Sequence, residues 1–300
     1  MKRFIKHTLL FLLPVLIYGT TVRYLDPFNY FGNSHFSKAT QMDYAYPVNR
    51  TLYRMVQFSQ TDKNKLLIGD SRMNYIGALT DTAHTAFFNF SSGGASMYQM
   101  VDVFNYAVSQ RPINEVVFQV SFDDFNEQQD YSEIDPAKAI LENKLLYIYN
   151  ISNLKVLYYI LADKLTGKQP SIGVVKTDKD RYWEECLKKE RDFHTGKNYV
   201  YAGGLKKKLK TMVNYCQLKG IKLTFVLLPV HNNVLQIIKA ENGNNYQRFK
   251  QDIAQIMGNA LFIDMSEMQV INNKEAFSDP YHLSDDTTRL DIFNRITNGY

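Results

Sequence analysis

The stretch Lys65-Leu66-Leu67-Ile68-Gly69-Asp70-Ser71-Arg72-Met73 decides the fold. Three consecutive aliphatic residues stop abruptly at a glycine, an acid and a serine. A short apolar run bounded by turn residues is the pattern of a buried strand. Ligands of open α/β sheets bind beyond the carboxyl ends of such strands, so Ser71 stands where a nucleophile would be placed. A serine needs an activating base. The chain supplies one near its C-terminus, in Asp279-Pro280-Tyr281-His282.

The residues downstream of Ser71 alternate between strand and helix patterns. Residues 86–90 (AFFNF) read as a second strand, followed by a tight turn at Ser91-Ser92-Gly93-Gly94. Met97, Met100, Val101, Phe104 and Val108 then recur at helical spacing over 96–109, and Pro112 closes that helix. Residues 115–120 (EVVFQV) are β-branched and strand-like. A helix over 204–219 is stopped by Gly220. Strands follow at 222–228 and 260–265, with a helix over 245–257 between them and a terminal helix over 284–297 capped by Ser284. This alternation predicts a parallel sheet wound with crossovers.

Two regions depart from the rhythm. Residues 25–64 are aromatic and polar, broken by Pro27, Gly32 and Pro47. They read as a connector on the domain surface, with a short helix over 51–58. Residues 125–200 read as an insertion above the strand ends, with tyrosine-rich helices over 136–165 and the only tryptophan, Trp183. Such a segment forms a lid or substrate wall, or packs a helical layer.

At the N-terminus, Lys2, Arg3 and Lys6 precede an apolar run over 8–22. Phe4, Ile5 and the flanking Tyr24 and Phe28 bring it near the about 20 residues a spanning helix needs. An uncleaved anchor over residues 1–24 is favoured over a signal peptide or a buried helix, because Gly19-Thr20-Thr21 makes a poor cleavage site. The preceding positive charges place the N-terminus in the cytoplasm and all after residue 25 outside.

Composition narrows the classes. The 300 residues are 45% hydrophobic and 22% charged, with a net charge of +5 and a pI near 8.9. This is a globular balance and gives no reason to expect nucleic acid. The cluster Lys206-Lys207-Lys208 with Lys210 reads as a solvated helix face. Two cysteines, Cys186 and Cys216, lack metal-ligand spacing; they are either one bridge or two buried thiols.

In a parallel sheet the strand-to-helix loops emerge on one edge. Ser71, Gly93-Gly94, Asp123-Asp124 and Asp279–His282 can therefore meet, although about 210 residues separate the first from the last. Ser71 and His282 fill the roles of nucleophile and base, and Asp279 can orient the base through Nδ1. The backbone N–H groups of Ser71 and Gly94 are candidate oxyanion donors. Arg72 could hold an anionic substrate group or form a plain ion pair. His231 could line the same edge or sit on the surface.

Gly69-Asp70-Ser71, Asn89-x4-Gly94 and Asp279-x-x-His282, in this order and strand context, resemble the SGNH (GDSL-like) hydrolase superfamily over roughly four-fifths of the chain. The resemblance implies a three-layer α/β/α domain over 65–300 with a five-stranded parallel, flavodoxin-like sheet. It also implies acyl-ester chemistry without a cofactor or metal. That family usually has an asparagine oxyanion donor after strand three, where this chain has Asp123. An ionised Asp123 would repel an oxyanion; it does another job, or is protonated, or the hole is built from backbone alone.

The chain also resembles, more loosely, the membrane-anchored bacterial branch that serves cell-envelope acylation. That branch includes alginate O-acetylation proteins and the accessory protein of lipoteichoic acid D-alanylation. These commonly work beside a membrane-bound O-acyltransferase. The expectation is therefore an extracytoplasmic serine O-acyltransferase, moving an acetyl group onto a surface glycan or envelope polymer. A carbohydrate esterase would use the same site. A non-catalytic glycan-binding or scaffold subunit would keep only the fold.

Overall fold

The computed structural model describes residues 2–78, 85–167, 178–195, 198–258 and 260–298, with side chains from residue 11 onward. Contacts divide the chain into two compact units, Met1–Thr61 with Glu133–Val175 and Asp62–Ser132 with Lys176–Tyr300.

In the first unit, α1 (Lys2–Leu25) is one helix with Pro14 inside it. It exposes Phe11, Leu12, Leu13, Val15, Leu16 and Ile17. The side chains of Lys2, Arg3 and Lys6 lie outside the described set. The stretch read as a surface connector, 25–64, is partly buried: Asp26, Phe28, Tyr44, Ala45, Thr51–Val56 and Phe58 lie inside, while residues 31–40 are partly or fully exposed. Helix α2 (Arg50–Ser59) is capped by Asn49, whose side chain accepts the Leu52 N–H at 2.9 Å. It buries Leu52, Tyr53, Met55, Val56 and Phe58. Asp26 accepts the N–H groups of Tyr30 and Phe31, both at 2.8 Å, and the Tyr147 hydroxyl at 2.7 Å. These bonds close the turn after α1 onto a residue about 120 positions later.

The second unit is α/β. Strands β1 (Lys65–Ile68), β2 (Phe87–Asn89), β3 (Glu115–Val120), β4 (Lys222–Leu227) and β5 (Leu261–Asp264) form one sheet in the order β2-β1-β3-β4-β5, parallel throughout. This is a doubly wound order, and its strand order reverses between β1 and β3. Leu66 pairs with Phe88 on one side and Val116 on the other, and Val116 pairs with Leu223. Every residue of β3 is buried, as expected of a central strand covered on both faces. Helix α3 (Ser71–Gly77) packs against the terminal helix, while α4 (Met97–Gln110) packs on the helix before β4. Helices thus cover both sides of the sheet.

The segment expected to be a single insertion is divided between the units. Helices α5 (Ile134–Glu142), α6 (Lys144–Ile148) and α7 (Ile151–Thr166) belong to the first unit. Helix α8 (Lys179–Thr195) belongs with the sheet and buries Trp183, Cys186 and Glu190. Residues 168–177 and 196–197 of the expected insertion lie outside the described residues. Helix α9 (Gly203–Lys219) ends at Gly220, whose φ of 67° is the left-handed stop that glycine adopts freely.

Helix α10 (Asn232–Ile256) starts a dozen residues earlier than the sequence suggested, because a kink at Asn242 divides its periodicity. A small ribbon, β6 (Phe277–Asp279) and β7 (His282–Leu283), precedes α11 (Asp286–Asn298). The cap of α11 is Asp285 rather than Ser284: its carboxylate accepts the Thr288 N–H at 2.7 Å. Cys186 and Cys216 are free, buried thiols, not a bridge.

Candidate active site

The turn that presents Ser71 is built around Gln119 of β3. Its Oε1 accepts the N–H groups of Asp70 at 3.2 Å and Met73 at 3.3 Å. Gly69 fits beneath that amide only without a side chain. A Cβ there would lie 2.4 Å from Gln119 Oε1 and 2.4 Å from Met73 Cβ. Asp70 then caps α3, accepting the Arg72 N–H at 2.7 Å. Because Asp70 takes the capping role, the Ser71 hydroxyl is available for another contact.

That contact is with His282. Its Nε2 lies 2.7 Å from Ser71 Oγ, and its Nδ1 lies 2.8 Å from Asp279 Oδ2. The β6–β7 ribbon brings Asp279 opposite His282. The Asp279 carboxylate also accepts the N–H groups of Tyr281 at 2.9 Å and His282 at 3.1 Å. Burial disfavours the Asp279 charge, but the imidazole and the two backbone donors outweigh it and hold the carboxyl below its ordinary value. The arrangement has the nucleophile–base–acid order of a serine triad. Tyr75 packs beside the base at a ring distance of 4.9 Å and is half exposed, while Ser71 keeps partial solvent access.

Gly94 sits in the loop after β2, which is tied to the end of β1 by the bonds Phe90 N to Leu67 O at 2.8 Å and Ser92 N to Gly69 O at 3.2 Å. Its φ of 77° is a conformation that favours glycine. The Gly94 carbonyl accepts the Tyr131 hydroxyl at 2.7 Å, which fixes the plane of the following peptide.

Asp123 faces a different partner. Its Oδ1 lies 3.2 Å from Nε2 of the fully buried His194. The same Nε2 lies 3.0 Å from Glu190 Oε1, and Glu190 Oε2 accepts the Tyr281 hydroxyl at 2.7 Å. Asp123 thus lies against a buried histidine and a second carboxylate, a placement that fits the first of the roles left open for it. Burial disfavours a charged His194, but the two carboxylates outweigh it and raise its pKa to about 9. Burial also pushes Glu190 upward. The Asn242 amide is 3.1 Å from His194 Nδ1, so a charged ring needs the amide oxygen turned toward it. Among the described residues, Asp123, Glu190 and His194 also bring ligand atoms within 4.8 Å of one another, a spacing that a cation could use; one proton on Nε2 serves the same geometry.

Arg72 is committed to the protein. It pairs with Asp70, donates to Ser121 Oγ at 2.7 Å, and lies 3.5 Å from Asp124. Burial, then the Asp70 charge, push Asp124 well above the usual carboxylate range. His231 is buried. Its Nδ1 accepts the Asn233 N–H at 3.2 Å as the cap of α10, and its ring meets Trp183 edge-on at 4.8 Å. Its backbone N–H donates to the Pro280 carbonyl at 2.9 Å, steadying the turn between Asp279 and His282. Sequence reasoning missed Gln119, Glu190, His194 and Tyr281. The i, i+4 spacing of Glu190 and His194 on one helix was the available signal.

No known family profile matches the chain, and no curated protein matches it. Among solved structures, it is similar to a Bacteroides fragilis protein described as a "putative acylhydrolase". The two share 13% identity at a TM-score of 0.41, over 84% of this chain and 97% of the other.

Proposed function

We propose that this protein is an extracytoplasmic, membrane-anchored serine O-acyltransferase of SGNH type, which moves an acyl group, acetyl in the simplest case, onto a surface glycan or envelope polymer. The observation that carries the reading is the unbroken relay from Ser71 Oγ through His282 to Asp279.

Ser71 Oγ attacks the donor's acyl carbonyl as its proton passes to His282 Nε2. The backbone N–H groups of Ser71 and Gly94 receive the developing oxyanion. Collapse breaks the ester bond, and the departing alcohol takes the proton from Nε2. His282 then deprotonates an acceptor hydroxyl, which attacks the acyl-serine and regenerates Ser71. Asp279 remains a carboxylate throughout and holds the imidazolium. With water as acceptor the same steps hydrolyse an ester. The apolar α1 supports the anchored location, and a membrane-bound acyl carrier would be the natural donor.

Replacement of Ser71 by alanine in the producing cell tests the reading. Loss of polymer-bound acyl groups is expected. Unchanged acylation in cells that make the variant at normal levels would defeat it.

A further inference from the structure

Helix α7 turns a mixed, partly polar face inward and an apolar stripe outward. Ser152, Asn153, Val156 and Ile160 are buried within its own unit, where Tyr44 also bonds to Asp163 at 2.7 Å. On the opposite side Ile151, Leu154, Tyr158, Leu161 and Leu165 form a stripe spaced three and four residues apart, with Tyr158 64% and Leu165 76% exposed. A core-packing helix turns one apolar face inward and a polar face outward. A contiguous outward stripe of this kind marks an interaction surface.

Three observations select its occupant. First, the stripe adjoins α1: the Tyr18 hydroxyl donates to the Asn150 carbonyl at 3.1 Å, and the Tyr18 and Tyr149 rings lie 6.1 Å apart. Helix α1 and the start of α7 therefore belong to one unit and touch at Tyr18. Second, Lys144, Lys155 and Lys164 are exposed beside the stripe, while the only acid between 144 and 166, Asp163, bonds to Tyr44. Third, tyrosines are part of this outward surface, and their amphipathic rings favour the headgroup level.

We propose that α7 lies flat on a lipid bilayer, with this stripe entering the headgroup–acyl boundary and its lysines meeting anionic lipid. The stretch Lys144–Thr166 is long enough to cross a membrane, yet its buried polar face and the break between α6 and α7 fit a surface helix. This contact is additional to α1 and rests on the proposal that the chain resides at a membrane.

The test uses the full chain in phosphatidylcholine–phosphatidylglycerol vesicles. Cys186 and Cys216 are buried, and burial raises Cys216 to about 12, so new exposed thiols react first. An environment-sensitive fluorophore is placed on Leu154→Cys and Leu161→Cys, on Leu13→Cys in α1, and on Lys188→Cys in α8 as a solvent reference. The expected result is blue-shifted emission at positions 154 and 161, unlike position 188. Quenching there should be stronger with a lipid-borne quencher near the glycerol than with one at the acyl terminus.

Quenching at position 13 with none at 154 or 161 would overturn the proposal while leaving the anchor in place. Stronger quenching by the deep quencher would replace a surface helix with a spanning one. Self-quenching between copies without lipid quenching would assign the stripe to a second chain. Failure of the chain to associate with vesicles would defeat both the stripe and the anchor.

Discussion

The hydroxyl of Tyr281 donates to Glu190 at 2.7 Å, and this bond ties the residue beside the base to helix α8. A second tie comes from His231, whose backbone holds the Pro280 carbonyl. The turn that carries His282 is therefore held from two elements outside its own ribbon.

Tyr281→Phe removes one grip and leaves the triad atoms in place. A buried hydrogen bond to a charged group contributes about 1.5–3 kcal/mol, so urea unfolding should show a loss of that order. The rate of Ser71 modification by an acylating reagent should also fall several-fold. A stability loss with an unchanged rate would make the bond merely structural.

The buried His194 predicts a pH dependence. Its folded pKa, about 9, lies above the ordinary histidine value. Its pairing with Asp123 and Glu190 therefore adds stability fully below the unfolded pKa and loses it as pH rises through about 9. Melting temperature should decline toward and above pH 9, and His194→Gln should flatten that limb. An unchanged alkaline limb in the variant would show that His194 does not carry the charge.

Asp279→Asn keeps the shape of the acid but no longer holds His282 in the productive tautomer. Such a change costs a serine triad about 10^4-fold in turnover. Modification rates at Ser71 should fall by a comparable factor, with unchanged far-ultraviolet ellipticity as the check on folding. A loss below tenfold would deny Asp279 the orienting role.

Gly69→Ala forces a methyl group against Gln119 and Met73. Overpacking of this kind costs about 1–3 kcal/mol. Gly203, whose added Cβ would meet nothing within 4 Å, is the control and should tolerate alanine. Denaturation midpoints compare the two, and equal midpoints would contradict the close approach at Gly69.

The strands were legible in the sequence because they rest on short-range signals, and the candidate relay because a parallel sheet brings its strand-end loops to one edge. Residues 115–120 and 222–228 are dense apolar runs, and Ser71, Gly94 and His282 each follow a run or turn of that kind. The N-terminal helical unit was not legible: Asp26 is satisfied by Tyr147, a partner no local pattern announces. Helix α8 is charged along most of its length, so nothing in the local pattern marks Glu190 and His194 as buried. In Ser284-Asp285-Asp286, several adjacent residues could cap a helix, and only the backbone decides for Asp285.

The most direct measurement is fluorophosphonate modification of the full-length protein, read by peptide mass spectrometry. The account predicts a single adduct on Ser71 that disappears in His282→Ala. A folded wild-type protein that forms no adduct at Ser71, or an adduct that persists in His282→Ala, would contradict an activated serine at this site.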